Sequence, residues 1–316
     1  MIKMVDFTSF SDYSSVRKLW NEEVGFIYPI TDEIFNHHVT NSPYLAKNAS
    51  FAAYLDNLLV GVIIVKTYSG DEILAYNDRA WISLFYVSKR FRKQGIGSTL
   101  LEKAILEIKE MGKKEIHMGQ DLGNFFPGIP CDFDNLTANF IVKRGFNLLG
   151  YTHDLLLKEP FTKEVDNRLG LQYRFATLDD KEKLLGFLEK NFPGRWHYEA
   201  KEYFEKELKS NNYFIALDGE DIVAFVRIND AKDGLCAYNT NWSSRFNNLV
   251  GIGPLGVDKE RRGKGISKEM ITTLLYDLHK EGKDEILIDW TSLLVYYQQF
   301  GFEVWKCYMK AKMILG

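Results

Sequence analysis

The sequence is poor in the residues that build metal or disulfide frameworks. Its three cysteines, Cys131, Cys236 and Cys307, are far apart, odd in number and form no Cys-x-x-Cys pair, which argues against both a zinc knuckle and a disulfide scaffold. Among the six histidines, His37 and His38 are adjacent; on a helix they would diverge by about 100°, so they read as two surface histidines and no metal is expected. Long apolar runs are missing too: none approaches the ~20 residues that span a bilayer, and the stretch from Met1 to Asp6 lacks the apolar core of a secretory signal. A cytoplasmic protein without a membrane partner is the expectation. Nor does either charge dominate. Lys and Arg number 40 against 43 Asp and Glu, a net of −3, so nothing concentrates a basic face for a phosphate backbone, and nucleic acid is not an expected partner.

What the 316 residues do contain is an internal repeat, which fits a length suited to two domains. Trp81 to Val87 reads as a buried strand, Ser88 to Gly97 as a polar glycine loop, and Ser98 to Met111 as an amphipathic helix. The order recurs with Leu249 to Val257, Asp258 to Ser267 and Lys268 to Glu281. Aligning Arg92 with Arg262 sets the offset at 170 residues. A turn then leads into strands Glu115 to Met118 and Glu285 to Ile288, and each copy closes on a short helix running into Gly145-Phe146 or Gly301-Phe302. The first copy is longer by a stretch placed at Asp121 to Asp134, a loop by its Gly and Pro content. Upstream, each half opens with a helix-prone segment (Ser11 to Val24; Asp179 to Asn191) and a strand hairpin turning at Asp56-Asn57 or at Asp218 to Asp221. The expected fold is α/β with a mixed sheet in two tandem domains, 1–160 and 170–316, joined through Glu159 to Gly170.

An Arg-x-x-Gly-x-Gly loop between a buried strand and a helix lets the backbone turn tightly and aims free amides, with the helix dipole, toward one spot. That arrangement is an anion cradle or, more simply, a tight turn; its appearance twice in one context favours the cradle. It is neither a P-loop nor the Gly-x-Gly-x-x-Gly dinucleotide fingerprint. The run Arg92, Lys93, Gln94, Gly95, Ile96, Gly97, Ser98 resembles the acetyl-CoA pyrophosphate loop of the GNAT superfamily of N-acetyltransferases. The run Arg262, Gly263, Lys264, Gly265, Ile266, Ser267 resembles it with serine at the last small position. The resemblance covers nearly the whole chain as two copies. It implies a sheet whose fourth and fifth strands splay apart around the pantetheine arm of acetyl-CoA, with Phe85 and Val87, or Leu255 and Val257, on the fourth strand, and Asn135 and Asn139 near the arm in the first copy.

The same resemblance places a proton-donating tyrosine four residues before the closing glycine. Tyr297 stands there in the second copy and Ile141 in the first, so the second domain is the expected catalytic one and the first is non-catalytic or cofactor-binding only. Asp289, just past the apolar Ile286 to Ile288, is the candidate base, with Trp290 beside it to exclude water. Acceptor residues are expected in the second domain at Trp196, His197, Trp242 and Trp290. Aromatic plates among polar side chains suit an amino sugar. The layout is similar to bacterial two-domain members of the family, including a clostridial type that acetylates glucosamine and glucosamine-terminated cell-wall fragments. The expected function is transfer of acetyl from acetyl-CoA to a primary amine, glucosamine being the specific choice. A non-catalytic acyl-CoA sensor and a transferase for another amine, such as an aminoglycoside, an amino acid or a peptide, compete with it.

Overall fold

The computed structural model describes residues 2–133, 136–164, 166–206, 212–233 and 237–316. Its strands are β1 (Ile2–Asp6), β2 (Phe51–Leu55), β3 (Leu58–Thr67), β4 (Arg79–Val87), β5 (Glu115–Met118), β6 (Ile129–Pro130), β7 (Asn147–Leu157), β8 (Gln172–Phe175), β9 (Tyr213–Asp218), β10 (Asp221–Asp230), β11 (Leu249–Val257), β12 (Glu285–Thr291) and β13 (Glu303–Ile314). The helices that matter here are α1 (Tyr13–Val24), α2 (Asp32–Phe35), α3 (Ile96–Glu110), α4 (Leu136–Val142), α5 (Lys181–Asn191), α6 (Arg195–Lys206), α7 (Ile266–Lys280) and α8 (Leu294–Gln298). Two compact units result. The first comprises Met1–His153, Cys236–Arg245 and Lys306–Gly316; the second comprises Asp154–Leu235 and Phe246–Trp305.

In the first unit β1 to β4 run antiparallel, β5 joins β4 in parallel, and the end of β13 lies antiparallel on β5, with Lys312 opposite His117. The hairpin between β2 and β3 turns at Asp56 and Asn57, both at positive φ (48° and 68°), the backbone that a two-residue turn demands. Ile63, Val65, Ile82, Leu100, Leu101 and Ala104 form the core between the sheet and α3. The second unit repeats the plan: β8 to β11 are antiparallel, β12 is parallel to β11, and α7 packs Met270, Leu274 and Leu278 on the sheet. Both long helices begin two residues earlier than the sequence pattern suggests. Gly95 and Gly265 adopt the left-handed conformation (φ 82° and 88°), which turns the chain directly into the helix, so Ile96 and Ile266 already belong to it.

Three sequence expectations change. The spatial units differ from a sequential division near residue 165, because residues 306–316 complete the sheet of the first unit while Leu155 and Leu157 of β7 enter the core of the second. The Asp121 to Asp134 insertion is not merely a loop: it contributes β6 and buries Phe125 and Phe126. His38 is not at the surface. It is fully buried, stacks on Phe125 with ring centroids 4.5 Å apart, and shares a 2.8 Å hydrogen bond between Nε2 and Asn241 Oδ1. Asn241 also donates from Nδ2 to the Asn124 and Phe125 carbonyls at 2.9 and 3.1 Å, and Arg245 donates to the Ile27 carbonyl at 2.8 Å. These bonds hold residues 237–245 in the first unit. Beside them Lys66 and Asp121 form an ion pair with almost no solvent exposure.

Replacing Asn241 with alanine removes the hydrogen-bond partner of the buried His38 Nε2 and of the buried Phe125 carbonyl, and should cost about 1–3 kcal/mol in urea unfolding; an unchanged midpoint would remove Asn241 as the clasp. Burial first, then the Lys66 and His37 charges, holds the His38 imidazole well below its usual value of 6.5. Burial likewise lowers His117, against the opposing pull of Glu115. The unfolded chain therefore binds more protons than the folded one below pH 6.5. Stability should be full above that pH and fall as the pH drops, by up to about 1.4 kcal/mol per unit per histidine; urea midpoints measured from pH 7.5 to 5.5 that stay level would contradict this.

Candidate active site

In each unit the parallel strand pair closes for only four residues. Arg79 to Ile82 pair with Glu115 to Met118, the Gly119 N–H makes a last bond to the Ile82 carbonyl at 2.9 Å, and beyond it the strands part. The second unit does the same from Leu249–Glu285 to Ile252–Ile288. A bulge sits at each fork. Ser83 is the extra residue on β4, while Gly253 and Pro254 span the irregularity on β11, and the extra residue turns the free edge of the strand into the gap.

Past the fork lies the glycine loop. Arg92 Nε donates to the Val87 carbonyl at 3.0 Å and Arg262 Nε to the Val257 carbonyl at 3.2 Å, so in both copies the motif arginine clamps the strand end to the loop. The first helical bonds run from Thr99 N–H to Gly95 O (3.0 Å) and from Glu269 N–H to Gly265 O (3.1 Å). The preceding amides consequently have no acceptor within their helix. Gly95, Gly263 and Gly265 have positive φ and open space where a side chain would stand, leaving the backbone bare to an incoming anion.

In the first unit this loop borders a cleft of about 650 Å³. Phe85, Val87, Arg92, Lys93, Gly95, Gly97 and Ser98 line it, together with Lys89 and Arg144. Arg144 donates to the Ser98 hydroxyl and lies 3.6 Å over the Phe140 ring. Gln94 and Asn139 are exposed and Ile96 is in the core, while Asn135 lies outside the described residues. The far walls are apolar: Trp20, Ile82, Met118, Phe126, Ile129 and Phe133. Tyr86 is there as well; its hydroxyl donates to Glu23 at 3.0 Å, and burial first, then that carboxylate, pushes its pKa up. Ile141 is fully buried, so its position supplies no polar group. Gly119, at the position 170 residues before Asp289, has φ 68°; a side chain there would strike the Phe126 carbonyl oxygen and the Gly128 nitrogen, the latter at 2.8 Å. Backbone of the insertion fills the space a carboxylate would need.

The second fork carries different side chains. Tyr297, on α8, is buried among apolar side chains; burial, then Tyr296 and Asp289, push its hydroxyl pKa above the usual value. The carboxylate of Asp289, one residue past the paired segment of β12, has an oxygen 3.0 Å from where a side chain on Gly253 would begin. Gly253 at the bulge therefore makes room for it, and the Asp289 charge acts on the Tyr297 hydroxyl, after burial and Tyr296. Trp290 adopts φ 46°, donates its N–H to Asp154 Oδ1 at 3.2 Å and carries the Arg195 guanidinium 4.7 Å over its ring. Leu255 and Val257 turn their side chains toward the core, and Ile266 is buried in it, whereas Arg262, Gly263, Lys264 and Gly265 are exposed and Ser267 is half-buried. Trp196 is half-buried against Phe192 and Phe225 at 5.0 and 6.0 Å, and His197 follows it on α6. Trp242 is a correction: it belongs to the first unit, buried between Tyr28 and Phe126 at 5.1 and 5.2 Å, because Asn241 and Arg245 hold its segment there. In the sequence only the 170-residue offset marks Gly119, by setting it against Asp289.

Among the described residues no cluster of three or more His, Cys, Asp or Glu could hold a metal, and no helix is long and apolar enough to cross a membrane. Two family models match the chain: the acetyltransferase (GNAT) family over residues 14–125 and the acetyltransferase (GNAT) domain over residues 172–305. No curated protein matches it by sequence. Among solved structures it is similar to a GCN5-related glucosamine N-acetyltransferase region in a fungal multi-domain GH3 β-N-acetylglucosaminidase, with TM-score 0.87 and 20% identity over 99% of this chain. The chain spans only 38% of that protein's length. It is also similar to a GCN5-related N-acetyltransferase from Sphaerobacter thermophilus (TM-score 0.72, 13% identity, 99% and 95% of the two chains). A third likeness is to a tandem GNAT protein from the clavulanic acid biosynthesis pathway (0.68, 13%, 100% and 99%). The chain belongs to the GNAT acetyltransferase family, whose domains use acetyl-CoA, and carries two such domains in tandem.

Proposed function

We propose that the second unit transfers an acetyl group from acetyl-CoA to a primary amine, and that the first unit holds acetyl-CoA without transferring it. The contrast between the forks carries this reading: the second has Tyr297, whose hydroxyl feels the Asp289 charge, whereas the first has buried Ile141 and a Gly119 hemmed in by backbone. The loops fit the donor, since bare glycine backbone and uncapped helix amides suit a pyrophosphate. Residues 262–267 would hold it in the second unit, and Lys93, Gly95, Gly97, Ser98 and Arg144 in the first. Bound acetyl-CoA supplies the activated thioester carbonyl. The chain supplies the proton handling: the Asp289 carboxylate can accept a proton from an ammonium group, and the Tyr297 hydroxyl, kept protonated by its burial, can donate one.

For the acceptor we favour the 2-amino group of glucosamine or of a glucosamine-terminated cell-wall fragment. Half-buried Trp290 follows Asp289 on the same strand, an aromatic ring and a carboxylate at consecutive positions, and the solved structure with TM-score 0.87 is a glucosamine N-acetyltransferase region by its name. Trp196 and His197 on α6 remain acceptor-side candidates in the second unit, and Trp242 is not among them.

Thiol release from acetyl-CoA, measured across glucosamine, glucosamine oligosaccharides, aminoglycosides, polyamines, amino acids and peptides, should be selective for the glucosamine compounds; selectivity for another class would replace the acceptor. Tyr297→Phe should lower the turnover number by about 10²–10⁴-fold with little change in the KM for acetyl-CoA. A turnover number within twofold of the parent protein would remove Tyr297 from the chemistry.

A further inference from the structure

Two of the three cysteines, 176 positions apart in the chain, face each other in the first unit. Strand β6 pairs antiparallel with β13, Ile129 opposite Met309 and Pro130 opposite Tyr308, so the next residues along, Cys131 and Cys307, are cross-strand partners. The Cys131 N–H donates to the Cys307 carbonyl at 2.9 Å. Directly opposed residues in a hydrogen-bonded antiparallel pair have Cα atoms about 5.5 Å apart and side chains on one face, inside the range of roughly 4.4–6.8 Å that a disulfide spans. Their sequence neighbours fasten the same spot: Lys306 Nζ donates to Asp132 Oδ2 at 2.6 Å, and the Tyr28 hydroxyl donates to that oxygen at 2.6 Å. Both thiols are free and reachable, Cys131 exposed and Cys307 half-buried.

The geometry points to Cys131 and Cys307 as a redox modification site, a cross-strand dithiol that a hydroperoxide converts to a disulfide. Either sulfur can be oxidised first to the same disulfide; the order through Cys307 balances. The Cys307 sulfur displaces the distal peroxide oxygen: an S–O bond forms, the O–O bond breaks, an alcohol (water from hydrogen peroxide) leaves, and Cys307 becomes a sulfenic acid. The Cys131 sulfur then attacks Cys307: the S–S bond forms, the S–O bond breaks and water leaves. Two electrons pass from the sulfurs to the peroxide. Because Ile129, Pro130 and Phe133 wall the cleft of the first unit, the crosslink ties that wall to β13. This inference is independent of the acetyl-transfer reading.

The full chain, reduced and freed of reductant, is treated with hydrogen peroxide, then assayed by thiol titration under denaturing conditions, intact mass and non-reducing peptide mapping. Titratable thiols should fall from three per chain to one, with the loss of two hydrogens in mass, a peptide joining residues 131 and 307, and full reversal by dithiothreitol. Cys236→Ser should retain the crosslink, whereas Cys131→Ser and Cys307→Ser should each abolish it. Persistence of all three thiols, a bond through Cys236, or a crosslink between two chains would overturn the assignment.

Discussion

Each unit depends on a parallel strand pair that is not allowed to continue. Four residues of β4 zip to β5, and four of β11 to β12, before a bulge at Ser83 or at Gly253 and Pro254 leaves the strand edge unpaired. An unpaired strand edge inside a protein is ordinarily a liability. Here it opens the fork along which the glycine loop, the uncapped helix start and the clamping arginine are arranged. Arg92 and Arg262 make the same bond to the same strand-end carbonyl, so these two formal charges of the motif also serve the loop's own shape.

From this shared frame the copies diverge by a few substitutions at the fork. A glycine with no room for a side chain stands in one where an aspartate stands in the other, and an isoleucine where there is a tyrosine. The bulge residue is matched to each. Gly253 has no side chain to collide with Asp289, while Ser83 keeps a buried hydroxyl in the fork whose matching position is Gly119. The folded insertion is the physical reason for the first pattern, since the Phe126–Gly128 backbone takes up the space beside Gly119.

The order of strand, glycine loop, helix and strand was legible because it follows from local rules: apolar runs of strand length, glycine before a 3.6-residue pattern, and hairpin turns at Asp56-Asn57 and Gly219. Repetition at a 170-residue offset then made the two-copy architecture and the two loops readable without coordinates, and counting back four residues from Gly145 and Gly301 gave the Tyr297–Ile141 contrast. The clash that empties the Gly119 position was not readable, because it is made by backbone seven to nine residues further on, in a segment whose Gly and Pro content says only that it turns.

By itself, then, the sequence determined the repeated elements, the glycine loops and the copy that carries a tyrosine and an aspartate. Only the tertiary structure decided which unit each distant segment joins. Asn241 carries Trp242 into the first unit, β13 brings Cys307 to Cys131, and His38 is buried rather than exposed. All three outcomes rest on hydrogen bonds and ring contacts between residues more than 80 positions apart, which local periodicity does not encode.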